Sequence, residues 1–240
     1  MKSSIFVSAF VISLLFGCVK SGIPSGTSSL TIINAIPNSS GVITNFLGSN
    51  GSKTTDSFQY YYSALQIYYG NFAELSSYTG TTHLSLSQTS DTLSLIANMT
   101  LNMQIGGIYS LFLTGMDTLQ VDTIFVKDNI PYFPLSGDSV TGVRFVNLSK
   151  GGNPILVTLQ SDTTHMPIQN NIAYKTITAF APYPANGNAQ IIGYNFEFRD
   201  AVSDSMLATS YLNIYLFKSQ TLAFYGNANV GYSVMSINNF

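Results

Sequence analysis

Two histidines and two glutamates are the scarcest side chains in this sequence that could carry acid–base chemistry. A serine hydrolase brings together a nucleophile, a base and an orienting acid, yet the chain has no Gly-x-Ser-x-Gly turn, and His83 and His165 lie in threonine-rich stretches typical of surface positions. A glycosidase needs two facing carboxylates; Glu74 and Glu197 are the only glutamates, and pairs of aspartates stay open as an alternative. We predict that the chain is not an enzyme, with no catalytic residue and no cofactor.

The sequence has few residues that could bind a metal ion or a nucleic acid. A single cysteine excludes an intramolecular disulfide and a cysteine-based zinc site within one chain. Two histidines and the absence of EF-hand aspartate spacing argue against other metal sites. The charge is −2, from 9 basic and 11 acidic residues, so the basic footprint of a nucleic-acid-binding protein is missing. We predict no metal site and no nucleic-acid partner.

Aspartate followed by serine or threonine is the most specific polar pattern. Seven of the nine aspartates stand in such a pair, far more than the abundance of Ser and Thr accounts for. Asp-Ser/Thr-aliphatic resembles the general O-glycosylation sequon of Bacteroidota envelope proteins, whereas the alternative is an Asx turn that precedes a strand. The candidate glycosylated residues are Thr92, Thr118, Thr123, Ser139, Thr163 and Ser205.

A dense group of tyrosines is the candidate binding surface. Its members are Tyr60, Tyr61, Tyr62, Tyr68 and Tyr69. Consecutive residues of a strand face opposite sides, so some of these rings are expected to point outward. Exposed tyrosines stack on sugar rings or anchor protein interfaces, and core or cross-strand packing is the alternative use.

The first eighteen residues have the pattern of a lipoprotein signal peptide. Lys2 provides a positive start, and the apolar run Ile5–Phe16 is too short to span a bilayer. The run ends in Leu15-Phe16-Gly17-Cys18, which resembles the bacterial lipobox, with the only cysteine of the chain at the acylated position. We predict a cleaved signal peptide over residues 1–17 and lipidation of Cys18, where two or three acyl chains give stable anchoring.

Residues 18–28 are predicted to form the lipidated cysteine and a flexible tether, because glycine, serine and proline dominate the stretch. Val19 follows the cysteine, so the best-known inner-membrane retention signal, an aspartate, is absent. We predict a lipid-anchored location in the outer membrane, with either the periplasmic or the surface-facing side open.

The rest of the chain is predicted to be all-β. Short runs of aromatic and branched residues alternate with period two and are separated by Gly, Asn, Pro and Ser clusters, a pattern typical of a β-sandwich. Leu30–Asn34 matches Val143–Asn147, 113 residues further on, and Asp91-Thr92-Leu93 matches Asp204-Ser205-Met206 at the same offset. These matches predict a tandem repeat, with one sandwich over 29–130, another over 141–240 and a seam between Asp128 and Asp138.

These residues resemble domain-of-unknown-function family 4397, found in secreted and anchored lipoproteins. The resemblance rests on Val143–Ser149, on Tyr69-Gly70 and on the stretch Gly107–Gly115, and it weakens after Tyr211. It implies two tandem immunoglobulin-like β-sandwiches, and it brings no established activity and no catalytic residue.

Together these observations predict a non-enzymatic lipoprotein of the cell envelope that acts as a binding or structural module. The membrane would be a partner through the lipid on Cys18, and a glycan or an envelope protein would be the other partner. Alternatives are a glycan-binding subunit of an outer-membrane uptake system, a fimbrial or adhesin-type subunit, and a secreted hydrolase.

Overall fold

A computed structural model describes residues 26–46, 66–131, 140–161, 164–185, 193–214 and 218–239. These residues form sixteen β-strands, and none of them forms a helix. Within these ranges, no helical segment has the length and apolar character required to cross a membrane. The predicted signal peptide, Cys18, Tyr60, Tyr61, Tyr62, Ser139 and Thr163 lie outside the described residues.

The first eight strands build two four-stranded sheets. Strands β4, β1, β7 and β8 form inner sheet 1 in that order, and β3, β2, β5 and β6 form outer sheet 1. The strands are β1 (Thr27–Asn34), β2 (Val42–Asn45), β3 (Gln66–Ile67), β4 (Asn71–Tyr78), β5 (Gly80–Gln88), β6 (Asp91–Met103), β7 (Ile108–Gly115) and β8 (Val121–Lys127).

The last eight strands repeat this arrangement. Strands β12, β9, β15 and β16 form inner sheet 2, and β11, β10, β13 and β14 form outer sheet 2, so every strand of the first half has a counterpart at the same place. The strands are β9 (Val140–Asn147), β10 (Ile155–Ser161), β11 (Thr164–Ile172), β12 (Ala181–Pro184), β13 (Gly193–Asp200), β14 (Met206–Asn213), β15 (Ser219–Asn227) and β16 (Gly231–Asn238). The prediction of an all-β fold with two tandem sandwiches is confirmed.

The register repeats as closely as the strand order. In the first half Leu30 of β1 pairs in parallel with Tyr109 of β7, and in the second half Val143 of β9 pairs in parallel with Gln220 of β15. The matched positions therefore differ by 113 residues in β1 and β9 and by 111 residues in β7 and β15. A single ungapped offset holds only for the first strands of each half.

A buried asparagine ends the first strand of each half in the same way. The side-chain amide of Asn34 donates to the carbonyl of Ile67 at 2.8 Å, and that of Asn147 donates to the carbonyl of Ile172 at 2.9 Å. Each side-chain oxygen also accepts the backbone N–H two residues further on. Because unpaired buried amides are costly, this asparagine fixes the chain reversal after β1 and after β9.

Three apolar layers separate the four sheets. One core fills the first sandwich around Leu30 and Leu86, and another fills the second sandwich around Phe145 and Phe196. A third joins the two inner sheets through residues of both halves, namely Ile33, Ala35, Phe112, Val146, Leu148, Ala223, Met235 and Ile237. The two sandwiches thus pack inner sheet against inner sheet.

Contacts across this inner interface are reciprocal. Tyr69 of the first half packs edge-on against Tyr225 of the second, with ring centres 5.3 Å apart. Tyr174, the counterpart of Tyr69, lies beside Thr114, the counterpart of Tyr225, and its hydroxyl donates to Asp122 Oδ2 of the first half at 2.9 Å. Reciprocal contacts of this kind characterise an isologous, two-fold interface, so the halves are arranged like the subunits of a symmetric dimer.

A buried ion pair breaks this symmetry. Arg144 Nη2 lies 2.8 Å from Asp128 Oδ1, and both side chains are almost wholly buried. Arg144 Nε donates to Thr221 at 2.8 Å, and Ser110 donates to Asp128 Oδ2 at 2.7 Å. Burial lowers the pKa of the Arg144 guanidinium from its ordinary value, and Asp128 opposes this effect. The predicted seam therefore begins with a residue that holds the halves together.

Candidate binding surface on outer sheet 2

The outer face of outer sheet 2 carries an exposed tyrosine, Tyr211 of β14. Phe196, Phe198 and Leu212 point into the core of the second sandwich. Because strand residues alternate between faces, their neighbours Asn195, Glu197, Arg199, Thr209 and Tyr211 point away from that core. Tyr211 is 57% exposed.

Tyr211 lies over a glycine of the neighbouring strand. A Cβ atom on Gly193 would stand 2.6 Å from Tyr211 Cζ and 2.5 Å from the carbonyl oxygen of Leu212. The tyrosine ring therefore rests on backbone that only a glycine leaves open. The sheet supports the phenol end of this side chain, and its exposed part can meet an apolar ligand surface.

Planar polar groups line up beside the ring. Register pairs Tyr211 with Asn195 on β13 and Asn195 with Gln160 on β10. The side-chain amide of Asn195 donates to Gln160 Oε1. This row of an aromatic ring and two amides offers both donors and acceptors to a hydroxyl-rich ligand.

Charged groups form the next row of the same face. Glu197 is 4% exposed; its Oε2 accepts from Arg199 Nη1 at 3.0 Å and from the Thr158 hydroxyl at 3.3 Å. Arg199 Nε also donates to Asp204 Oδ1 at 2.8 Å, and this bond raises the pKa of the guanidinium, with a smaller contribution from Glu197. The Arg199 guanidinium is thus held in place by two carboxylates, those of Glu197 and Asp204.

Two tyrosines of the predicted binding surface, Tyr68 and Tyr69, lie within the described residues. Tyr68 is 54% exposed, and its hydroxyl donates to Gln66 Oε1 at 2.5 Å. Tyr69 instead packs on Tyr225 at the inner interface, where burial, together with Tyr225, raises its pKa to about 12. The structure therefore places these two tyrosines in different environments.

The side chains considered for catalysis lie apart. Glu74 is on β4 of inner sheet 1, whereas Glu197 is on the outer face of outer sheet 2. The His83 ring contacts the Thr100 hydroxyl at 3.1 Å, and His165 lies in β11, paired by register with Gln160. Among the described residues, no three or more His, Cys, Asp and Glu side chains come together as a metal site.

Four candidate glycosylation residues lie within the described ranges. Thr92 and Thr123 are half-buried in β6 and β8, Thr118 is half-buried in the turn after β7, and Ser205 is exposed before β14. Their glycosylation stays a prediction.

Aspartates beside two of these residues make the turns expected as the alternative. Asp91 Oδ1 accepts the backbone N–H of Leu93 at 3.1 Å, and Asp117 Oδ1 accepts that of Leu119 at 2.8 Å. Asp122 has a different role: it pairs with Lys150 at 2.8 Å, and this bond is the main reason its pKa falls below the ordinary value.

Sequence reasoning missed Tyr211 as a functional candidate, because it is the only aromatic residue of the strand Met206–Asn213. The available signal was Gly193, a glycine next to an aromatic strand segment, since glycine in a strand marks a close approach of another group. Only the pairing of β13 with β14 brings the two residues together.

Comparisons with known proteins give few parallels. No family model matches the chain. No curated protein matches it either. One similar solved structure is the family 26 carbohydrate-binding module CBMbc from Eubacterium rectale Amy13K, in complex with maltoheptaose. It is 8% identical, the match covers 88% of this chain and 95% of that chain, and the TM-score is 0.26, which is too low to support an argument.

Proposed function

We propose that this chain is a non-enzymatic lipoprotein of the outer membrane that binds a glycan through the outer face of outer sheet 2. The observation that carries the ligand class is the Tyr211 ring, supported by Gly193 and flanked by Asn195 and Gln160. A sugar ring presents an apolar face of C–H groups and an edge of hydroxyls. The aromatic ring suits the first and the amide side chains suit the second.

The membrane part of the proposal rests on the sequence alone. Cys18 follows a short apolar segment at the position where a lipobox requires its cysteine, and it is the only cysteine of the chain. The resemblance to family 4397, found in secreted and anchored lipoproteins, supports the anchor. Acyl chains on Cys18 would hold the double sandwich at the membrane, and the tether would leave its outer faces accessible.

The lipid anchor is tested by a Cys18→Ala variant expressed in a bacterial host that processes lipoproteins. We expect the variant to leave the membrane fraction or to accumulate as an uncleaved precursor, because no acyl acceptor remains. Membrane fractionation and gel mobility provide the measurement. A variant that fractionates and migrates like the wild type would show that the anchor is elsewhere.

The glycan site is tested on an array of bacterial and plant polysaccharides with the full-length chain. We expect binding to at least one glycan and a loss of about tenfold in affinity for Tyr211→Ala, typical of an aromatic residue at the centre of a binding site. Tyr68→Ala is the matched control, because that ring is equally exposed but lies in the other sandwich. Equal losses from both variants, or no glycan bound, would refute the assignment.

A further inference from the structure

A small polar pocket opens at the edge of inner sheet 1. Its volume is about 200 Å3, and its lining residues are Ser29, Leu30, Thr31, Glu74, Leu75 and Ser76. Ser29 and Thr31 lie on β1, and register pairs them with Ser76 and Glu74 of β4. Four of the six lining residues are polar, and Glu74 is the only charged one.

The second half shows what fills the corresponding position there. Ser29 and Gly142 are counterparts. The N–H of Ser29 donates to the carbonyl of Gly107, just before β7, and the N–H of Gly142 donates to the carbonyl of Lys218, just before β15. Thr31 therefore corresponds to Arg144, and the β9–β12 register makes Pro182 the counterpart of Ser76. In the same register, Glu74 corresponds to Phe180.

The counterpart position is occupied by a cation on an aromatic ring. The Arg144 guanidinium carbon lies 4.5 Å from the centre of the Phe180 ring, a cation–π contact. The second half thus fills this place with the ring, the proline and the long arginine side chain. The first half has a hydroxyl, a carboxylate and a second hydroxyl at these positions, and the pocket remains open.

We propose that this pocket binds an arginine side chain of a partner protein, with Glu74 as its counter-ion. Glu74 is exposed on an edge strand, and no ion pair joins it to a described residue. A carboxylate receives two N–H donors of a guanidinium in parallel, and the hydroxyl oxygens of Ser29 and Thr31 can accept further donors. The neighbouring wall of β1 gives the planar group a surface on which to lie.

This inference is independent of the proposed glycan site, because the pocket belongs to the first sandwich and the Tyr211 face belongs to the second. An isolated surface ion pair contributes little. The proposal therefore requires the pocket walls as well as the charge, and the experiment separates these two contributions.

The test is a titration of the detergent-solubilised, full-length chain with N-acetyl-arginine amide, followed by backbone amide NMR shifts. N-acetyl-citrulline amide is the neutral probe of the same shape. We expect saturable shifts of amides near Glu74 and Ser29 at millimolar concentration of the arginine probe, and roughly tenfold weaker shifts with citrulline.

Three variants sharpen the result. Glu74→Gln removes the charge, and Ser29→Phe fills the pocket while leaving the carboxylate; each should weaken arginine binding about tenfold. Asp117→Asn is the matched control, because it removes the same charge from an exposed turn and keeps the oxygen that accepts the Leu119 N–H. Circular dichroism checks that all three variants fold.

The proposal is wrong if Glu74→Gln binds the arginine probe as well as the wild type does. It is also wrong if citrulline binds equally well, or if the shifts spread over acidic residues throughout the surface. Unchanged binding by Ser29→Phe would likewise exclude the pocket, since charge attraction alone would then explain the effect.

Discussion

The outer faces of the two sandwiches have the same architecture and different chemistry. On outer sheet 1, register pairs His83 with Thr100 and Ser85 with Asn98. At the corresponding places of outer sheet 2, Asn195 pairs with Tyr211 and Glu197 with Thr209. At these places the first face carries a histidine, two hydroxyls and an amide, whereas the second has an aromatic ring and a carboxylate held by a guanidinium.

The comparison shows which positions of the two sandwiches are constrained by packing. Inward positions remain apolar in both halves, because a core at native density tolerates few changes. Outward positions do not affect core packing, so their side chains differ freely. A ligand-binding surface therefore needs changes at only a few outward positions, such as Tyr211 over Gly193 in the second sandwich.

The largest expected effect tests the asymmetry of the inner interface. Arg144→Met should lower the free energy of unfolding by about 3–5 kcal/mol, because the buried Asp128 carboxylate loses its counter-ion. Thr31→Val, at the corresponding position of the first half, should cost less than about 1 kcal/mol because it nearly preserves volume and removes no charge.

Denaturant unfolding of the full chain measures both changes. Similar losses of stability for the two variants would show that the ion pair does not distinguish the halves. The double variant Arg144→Met with Asp128→Leu should recover part of the loss, since a matched apolar pair needs no counter-ion.

A smaller effect is expected under the tyrosine ring. Gly193→Ala should destabilise the chain by about 1–3 kcal/mol, because the new Cβ would stand 2.5 Å from a backbone oxygen and 2.6 Å from the ring. Thr81→Ala is the matched change on β5, where a side chain is already present.

Thermal unfolding and the chemical shifts of the Tyr211 ring report this result. We expect the ring to move in Gly193→Ala and to stay in place in Thr81→Ala. An unperturbed ring in Gly193→Ala would contradict the proposed support by the glycine.

The smallest expected effect concerns acid stability. Lys150 and Tyr174 hold the pKa of Asp122 below its ordinary value, so the pair stabilises the fold above the unfolded-state pKa of about 3.9. This contribution is lost as the pH falls below that value through the folded-state pKa. In Asp122→Asn the free energy of unfolding should therefore fall less steeply as the pH drops on the acid side. The total difference from the wild type should be less than about 1 kcal/mol.

Chemical denaturation between pH 2 and pH 7 provides the measurement, at two salt concentrations because partly exposed pairs are screened. Ser233→Ala, at the corresponding position of β16, serves as the control. A slope unchanged by Asp122→Asn would show that the pair makes no net contribution.

The sequence predicts the strands well because their alternation reflects burial on one face. Leu30–Asn34 and Val143–Asn147 indeed form the matching strands β1 and β9. The matched Asp91 and Asp204 have different roles, however. In the first half Asp91 accepts the backbone amides of the turn before β6. In the second half the turn before β14 is longer, and Asp200 accepts its amides, whereas Asp204 accepts from Arg199.

The candidate surface was beyond sequence reasoning for a physical reason. Tyr211 and Gly193 are brought together by pairing of β13 and β14, and Arg144 and Asp128 meet only when the two inner sheets pack. Periodicity reports which face a residue is on, but it carries no information on which neighbour lies across the sheet. A run of tyrosines such as Tyr60–Tyr62 is visible in the sequence, whereas the placement of one tyrosine over a glycine of another strand is not.

The most direct test of the central claim exchanges the two outer faces at one pair of positions. Tyr211→Thr and Thr100→Tyr are compared with the wild type for binding to the glycan found on the array. We expect a loss of about tenfold in affinity for Tyr211→Thr and no gain for Thr100→Tyr, which lacks the glycine and the amide row. Full binding by Tyr211→Thr would contradict the assignment of this face.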